Sequence, residues 1–219
     1  TVEDLRTHRV FVNGPLLSEG QLMCGFRDGR PIVVAPRDDC TLLVIAASPP
    51  AEVPLVPCAI VGSRIVTPRY AASLDQVPPA GDVFDLRVLQ RVAVALGWLH
   101  GRDLAHNDVR ACNVFVDMEG APFLGDFDAV CVFGKMPRKF GMQALPDWAA
   151  LRWGGRRKAD GMPRAAAELD WVMLGVLCVS RCLQSGAVME DDVEAAQMVN
   201  GVRARYPEAA VLAGAVQAC

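Results

Sequence analysis

Lysine is nearly missing from this chain. Of 22 basic residues only Lys135, Lys139 and Lys158 are lysine, so the first 134 residues hold no side-chain ammonium group. Chemistry that needs a lysine in that span is excluded. Glutamate is thin there too, with Glu52 alone between Glu19 and Glu119. Histidine is limited to His8, His100 and His106, and the eight cysteines form no CxxC pair. Neither a zinc site nor a disulfide framework is expected from that spread. The cysteines read as free, buried thiols of a reducing compartment. No apolar run is long enough to cross a membrane, so no membrane partner is expected. Thr1 opens neither with an initiator Met nor with a signal peptide, which reads as an excised domain of an intracellular protein. A net charge of −3 gives no electrostatic case for nucleic acid as a partner.

Apolar residues, by contrast, make up 52% of the chain, enough for a packed core. Residues 1–72 read as five short strands: Val10–Val12, Gln21–Met23, Pro31–Ala35, Leu55–Val61 and Arg64–Tyr70. Asp28-Gly29 predicts a tight hairpin between two of them, because glycine accepts positive φ. The segment from Asp38 predicts a short helix, capped by Asp38 or Asp39 and stopped by Pro49-Pro50. Ala71 to Gly81 reads as a linker. Leu86, Leu89, Val92, Ala93, Leu96 and Leu99 then recur at helical spacing, predicting a helix from Val83 to His100 with Asp82 as its cap. Leu169 to Leu183 is apolar nearly all round and predicts a core helix. Two short helices, from Asp192 to Arg205 and from Pro207 onward, complete the chain.

Between these helices lies Leu99 to Asp128, LHGRDLAHNDVRACNVFVDMEGAPFLGDFD. Leu99-His100, His106-Asn107-Asp108, Asn113 and Asp126-Phe127-Asp128 occur in order and at fixed spacing. This stretch resembles the catalytic loop and metal loop of protein kinases. The resemblance extends more weakly over nearly the whole chain. It implies an α+β, two-lobed protein kinase-like fold, with a reduced β-rich N-lobe over 1–72 and a shortened helical C-lobe over 73–219. Phosphoryl transfer needs a carboxylate near the acceptor hydroxyl and oxygen ligands for magnesium. The resemblance places Asp108 at the base position, on an exposed loop, and Asn113 and Asp126 at the magnesium-ligand positions. It gives His106 and Asp170 structural roles, with Asp170 hydrogen-bonded to the loop backbone.

The nucleotide-handling groups depart from the family. A kinase holds the α- and β-phosphates with a third-strand lysine paired to a helix glutamate. Here the matching stretch is Val33-Val34-Ala35-Pro36, with proline at the lysine position. No GxGxxG is present, Asn107 replaces the arginine of HRD, and Asp128 replaces the glycine of DFG. These departures imply a catalytically inactive pseudokinase, a protein-interaction scaffold for which ATP and magnesium binding is expected to be weak or absent. No cofactor and no bound metal are expected. The run from Asp126-Phe127-Asp128 to Phe133-Gly134-Lys135-Met136-Pro137 further resembles Bub-family spindle-checkpoint kinases and the related kinetoplastid kinetochore pseudokinase. That resemblance implies a nuclear role in chromosome segregation, with other kinetochore proteins as partners. Two alternatives stay open. One is an active atypical Ser/Thr kinase using Asp108, Asn113 and Asp126, with Arg37 or Arg30 as phosphate anchor. The other is a secreted pseudokinase effector. The candidate partner surface is the basic segment from Lys135 to Lys158, above all Arg152, Arg156, Arg157 and Lys158, with Trp148 and Trp153 as apolar anchors.

Overall fold

The computed structural model describes residues 23–27, 30–36, 38–61, 64–79, 83–137, 165–183 and 192–215. The predicted strand Val10–Val12, the cap Asp82 and the basic residues Arg152, Arg156, Arg157 and Lys158 lie outside them. So do Trp148 and Trp153.

Four strands form the first sheet: β1 (Met23–Arg27), β2 (Arg30–Pro36), β3 (Ala59–Val61) and β4 (Arg64–Pro68). Their order is β1-β2-β4-β3, all antiparallel. Arg27 pairs with Arg30; the predicted turn Asp28-Gly29 and the candidate anchor Arg37 lie outside the described residues. The predicted strand Leu55–Val61 is split. Leu55 makes a single bridge to Leu124, and β3 starts only at Ala59. Pro57 between them has no N–H to give to a ladder.

Helix α1 (Asp39–Ala46) follows β2. The Asp38 carboxylate accepts from the Thr41 backbone N–H at 2.6 Å, a cap worth about 1 kcal/mol. Cys40, Thr41 and Val44 are its buried side. They pack toward the turn Phe127–Ala129.

The expected linker is held by contacts. β5 (Ala72–Ser73) pairs with β7 (Val114–Val116), which pairs with β8 (Pro122–Leu124). A turn of 3₁₀ helix, Leu74–Gln76, comes next, and Leu74 is fully buried. Helix α2 (Val83–His100) then enters the core. Val88, Leu89, Val92, Ala95, Leu96 and Leu99 are buried at the 3.6-residue period that makes one helix face. Asp85 lies on that face and is also buried. Its partner is Arg181, at 2.6 Å, on helix α3 (Ala167–Cys182). Arg181 further donates to the carbonyls of Leu74 at 3.2 Å, Val77 at 2.6 Å and Pro78 at 3.2 Å. One guanidinium thus pins the linker to α2 and α3.

Helix α3 buries residues all round, from Leu169 and Asp170 to Arg181 and Cys182. Between α2 and α3, β6 (Leu104–Ala105) pairs with β9 (Cys131–Val132). Helices α4 (Asp192–Arg205) and α5 (Ala210–Gly214) close the chain, with a 3₁₀ turn at Pro207–Ala209 between them. Cys40, Cys58, Cys112, Cys131, Cys178 and Cys182 are in no disulfide; Cys40, Cys178 and Cys182 are buried, while Cys58, Cys112 and Cys131 are only half-buried. No described helix is long and apolar enough to cross a membrane.

Candidate functional site

The loop between β6 and β7 is shaped from below by Asp170. Its Oδ2 accepts from the His106 N–H at 2.7 Å, and its Oδ1 from the Asn107 N–H at 2.7 Å. His100 Nε2, at the end of α2, lies 2.9 Å from Oδ2. Asp170 is fully buried, so these partners replace the water a carboxylate needs.

His106 ties the loop to the next segment. Its Nε2 lies 3.0 Å from the Gly125 carbonyl oxygen, and its ring meets Phe127 edge-on at 5.9 Å. Gly125 in turn donates its N–H to the Asn113 carbonyl at 2.9 Å. A Cβ on Gly125 would stand 2.6 Å from a Val56 methyl carbon and 2.9 Å from the Phe115 ring, so a glycine is required. Asn107 has φ of +62°, a left-handed conformation that asparagine tolerates better than most residues. Its amide donates to the carbonyls of Ala105 at 3.2 Å and Ala129 at 2.9 Å. The residue standing where HRD has arginine therefore clamps both arms of the site.

Asp108 is fully buried, not exposed as its loop position predicts. Its Oδ2 accepts from Asn113 Nδ2 at 2.9 Å and meets Arg110 at 3.0 Å. Two donors within the loop hold the carboxylate inward, as a buried charge requires. Asn113 Nδ2 also bonds the Asp108 carbonyl at 2.9 Å. Asp108 Oδ1 is buried and meets no hydrogen-bond donor among the described residues. Asp126, with φ of +57°, is exposed beside the buried Phe127, and Asp128 is half-buried. One carboxylate oxygen each from Asp108, Asp126 and Asp128 lies within 4.8 Å of the others.

A cleft of about 600 Å³ opens between β4 and α1 on one side and β7 and the Asp126 turn on the other. Val56, Ile65, Tyr70 and Phe115 give it apolar walls. Tyr70 stacks at a tilt on Phe115, 5.6 Å between centroids, and on Phe123 at 5.4 Å. Burial pushes the Tyr70 phenol up, so it stays neutral. Burial, then the Asp38 carboxylate, pushes the Cys58 thiol up to about 12, which leaves it protonated and unreactive at neutral pH. Asp38, Asp126 and Asp128 also line the cleft, and Arg69 is the one cation lining it among the described residues.

The structure thus brings His106, Asp108, Asn113, Asp126 and Asp170 into one connected site. Sequence reasoning missed Arg110, although its place two residues after Asp108 was the available signal. It missed Gly125 as well, and it named His100 as a motif position without its contact to Asp170, 70 residues away.

A small antiparallel sheet, a capped helix after its central strand, a cleft, and a loop held from below by a core-helix aspartate together make a protein kinase-like fold. Among solved structures the chain is similar to the Cydia pomonella granulovirus kinase PK-1, with a TM-score of 0.65 and 13% identity over 90% of this chain and 76% of that one. At that identity the likeness shows the fold alone. No protein-family model and no curated protein matches the chain.

Proposed function

We propose that this chain is a pseudokinase, a protein-interaction scaffold built on a kinase-like fold. The observation that carries the reading is the state of Asp108. It is fully buried, with its Oδ2 engaged by Arg110 and Asn113, which supports a structural role in the loop over the role of a base. The cleft adds support. Three carboxylates against one arginine repel a polyphosphate, and Pro36 of β2 stands at the position of the lysine that would hold it. Were magnesium present, Asp126 and Asn113 are the residues the fold would offer it, and it would supply charge neutralisation for phosphate.

Calorimetry and thermal melting with ATP and magnesium test this reading. Millimolar nucleotide on a micromolar site would stabilise the fold by roughly 4 kcal/mol, an obvious melting shift. The expected result is no shift and no phosphate transfer to added protein. Micromolar ATP affinity, or transfer abolished by Asp108→Asn, overturns it.

Partner recognition then falls to surface, and the basic segment ending in Lys158 is the proposed surface. Arg156→Glu, Arg157→Glu and Lys158→Glu together should abolish partner pull-down while the melting temperature stays unchanged. Binding of the unmodified protein should weaken with salt. Retained pull-down by the triple variant assigns recognition elsewhere. The narrower Bub-like, kinetochore and nuclear proposal is supported by the short lobes, by Asn107 in place of the catalytic-loop arginine and by the stretch from Asp126 to Pro137.

A further inference from the structure

We propose that the cleft between the first sheet and the Asp126 turn is a binding site for a small organic cation: a flat, largely apolar ring system carrying one positive charge. This goes beyond the pseudokinase reading, under which the cleft merely rejects polyphosphate.

The cavity, about 600 Å³, has the volume of a site for a drug-sized molecule, roughly 300 to 1,000 Å³. Val56, Ile65, Pro68 and Phe115 give it apolar walls. Val56 and Phe115 pack so closely on the Gly125 backbone that a Cβ there would stand 2.6 Å from one and 2.9 Å from the other. That wall is set before any ligand arrives, which lowers the cost of binding. Tyr70 and Phe115 add aromatic surface. The negative ring face attracts a cation, and the ring body covers an apolar one.

The charge of the cleft is lopsided. Among the described residues, Asp38, Asp126 and Asp128 line it against Arg69 alone. Asp38 and Asp128 are half-buried, whereas Arg69 is exposed, where water and salt screen it. The carboxylates come from two elements, the cap of α1 and the turn after β8. The Cys58 thiol lies in the same field: after burial, the Asp38 carboxylate pushes it up. An anion entering this cleft meets like charge, and a neutral ring gains the walls only. A ring bearing one positive charge gains walls and carboxylates together.

Three molecules of one ring system test this: 9-aminoacridine, a cation at neutral pH, neutral acridine, and the anion acridine-9-carboxylate. Calorimetry on the whole chain reads their affinities, in chelator so that no metal masks the carboxylates, and without nucleotide. 9-Aminoacridine should bind at one per chain and weaken with salt. Acridine should bind about 10-fold more weakly, the scale of two partly screened ion pairs, and the carboxylate not at all. Asp38→Asn and Asp128→Asn should each weaken 9-aminoacridine by about 3- to 5-fold and leave acridine unchanged. Asparagine also caps a helix, so Asp38→Asn should melt like the unmodified chain. Glu119→Gln, at an exposed carboxylate outside the cleft lining, should change nothing. No binding of 9-aminoacridine overturns the site. Acridine or its carboxylate binding as tightly as 9-aminoacridine also overturns it. So does a loss in Glu119→Gln as large as in Asp38→Asn, which would mean attraction to the net charge of the chain. ATP with magnesium is titrated separately. Micromolar ATP affinity removes the pseudokinase reading, while the ranking of the three acridines without metal still decides the cation site.

Discussion

Asp170→Ala should unfold at a much lower urea concentration than the unmodified chain. The substitution removes an acceptor shared by two backbone N–H groups at 2.7 Å and by His100 at 2.9 Å, all around a fully buried carboxylate. Hydrogen bonds to a charged group are worth about 1.5 to 3 kcal/mol each, and the donors left behind are buried and dry. A loss of about 3 kcal/mol or more is expected, a large share of the 5 to 15 kcal/mol typical of a domain. Asp170→Asn should fall between the two, because its single amide oxygen can serve only one of the backbone donors well. Asp126→Ala, at an exposed carboxylate, is the control and should melt close to the unmodified chain. Urea titration reads all three. If Asp170→Ala unfolds at the same urea concentration as the control, Asp170 does not hold the loop.

Arg181→Met should be nearly as severe. It breaks a buried ion pair with Asp85 at 2.6 Å and takes the Arg181 donors from the carbonyls of Val77 and Pro78, and one of two donors from Leu74, which keeps the Val77 N–H at 3.1 Å. Removing one partner of a buried pair costs about 3 to 5 kcal/mol, because the other charge is left uncompensated. Asp85→Leu alone should show a similar loss. The double variant separates pair from strap. Buried pairs replaced by apolar residues are often neutral, so the double variant should recover part of the loss. It should not recover all of it, since the carbonyls of Val77 and Pro78 still lack the donor that Arg181 gave them. Full recovery would mean those bonds contribute nothing.

These two aspartates mark what the sequence could and could not reveal. Asp170 was legible because Gly175 follows it five residues on, which resembles the start of the kinase core helix. Helix α2 was legible from its apolar period, down to its start at Val83 and its end at His100. Asp85 was not, for the same reason. A charge on an apolar face reads as an irregularity until its partner is known, and Arg181 is 96 residues away. Periodicity reports which face is buried, not which distant residue meets it. The inward turn of Asp108 was hidden in the same way. Its position predicts exposure, but Arg110 and Asn113 set its direction through contacts no spacing rule describes. The strand over Leu55–Val61 failed on local grounds, because Pro57 divides the run.

The Arg181 strap also bears on the order in which the chain can assemble. Its bonds span 96, 103, 104 and 107 residues. Contacts of that separation demand loop closure over nearly half the chain, and such closure is slow and late. During synthesis, the first sheet, the linker and α2 all emerge before the residue that fastens them. Until α3 docks, water stands in for the Arg181 guanidinium at Asp85 and at the linker carbonyls. The segment that walls the cleft at Ala72 and Ser73 thus takes its final place among the last steps of folding. A ribosome-bound chain halted ahead of Arg181 should remain open to protease between Leu74 and Pro78, and close only when the core helix has been released.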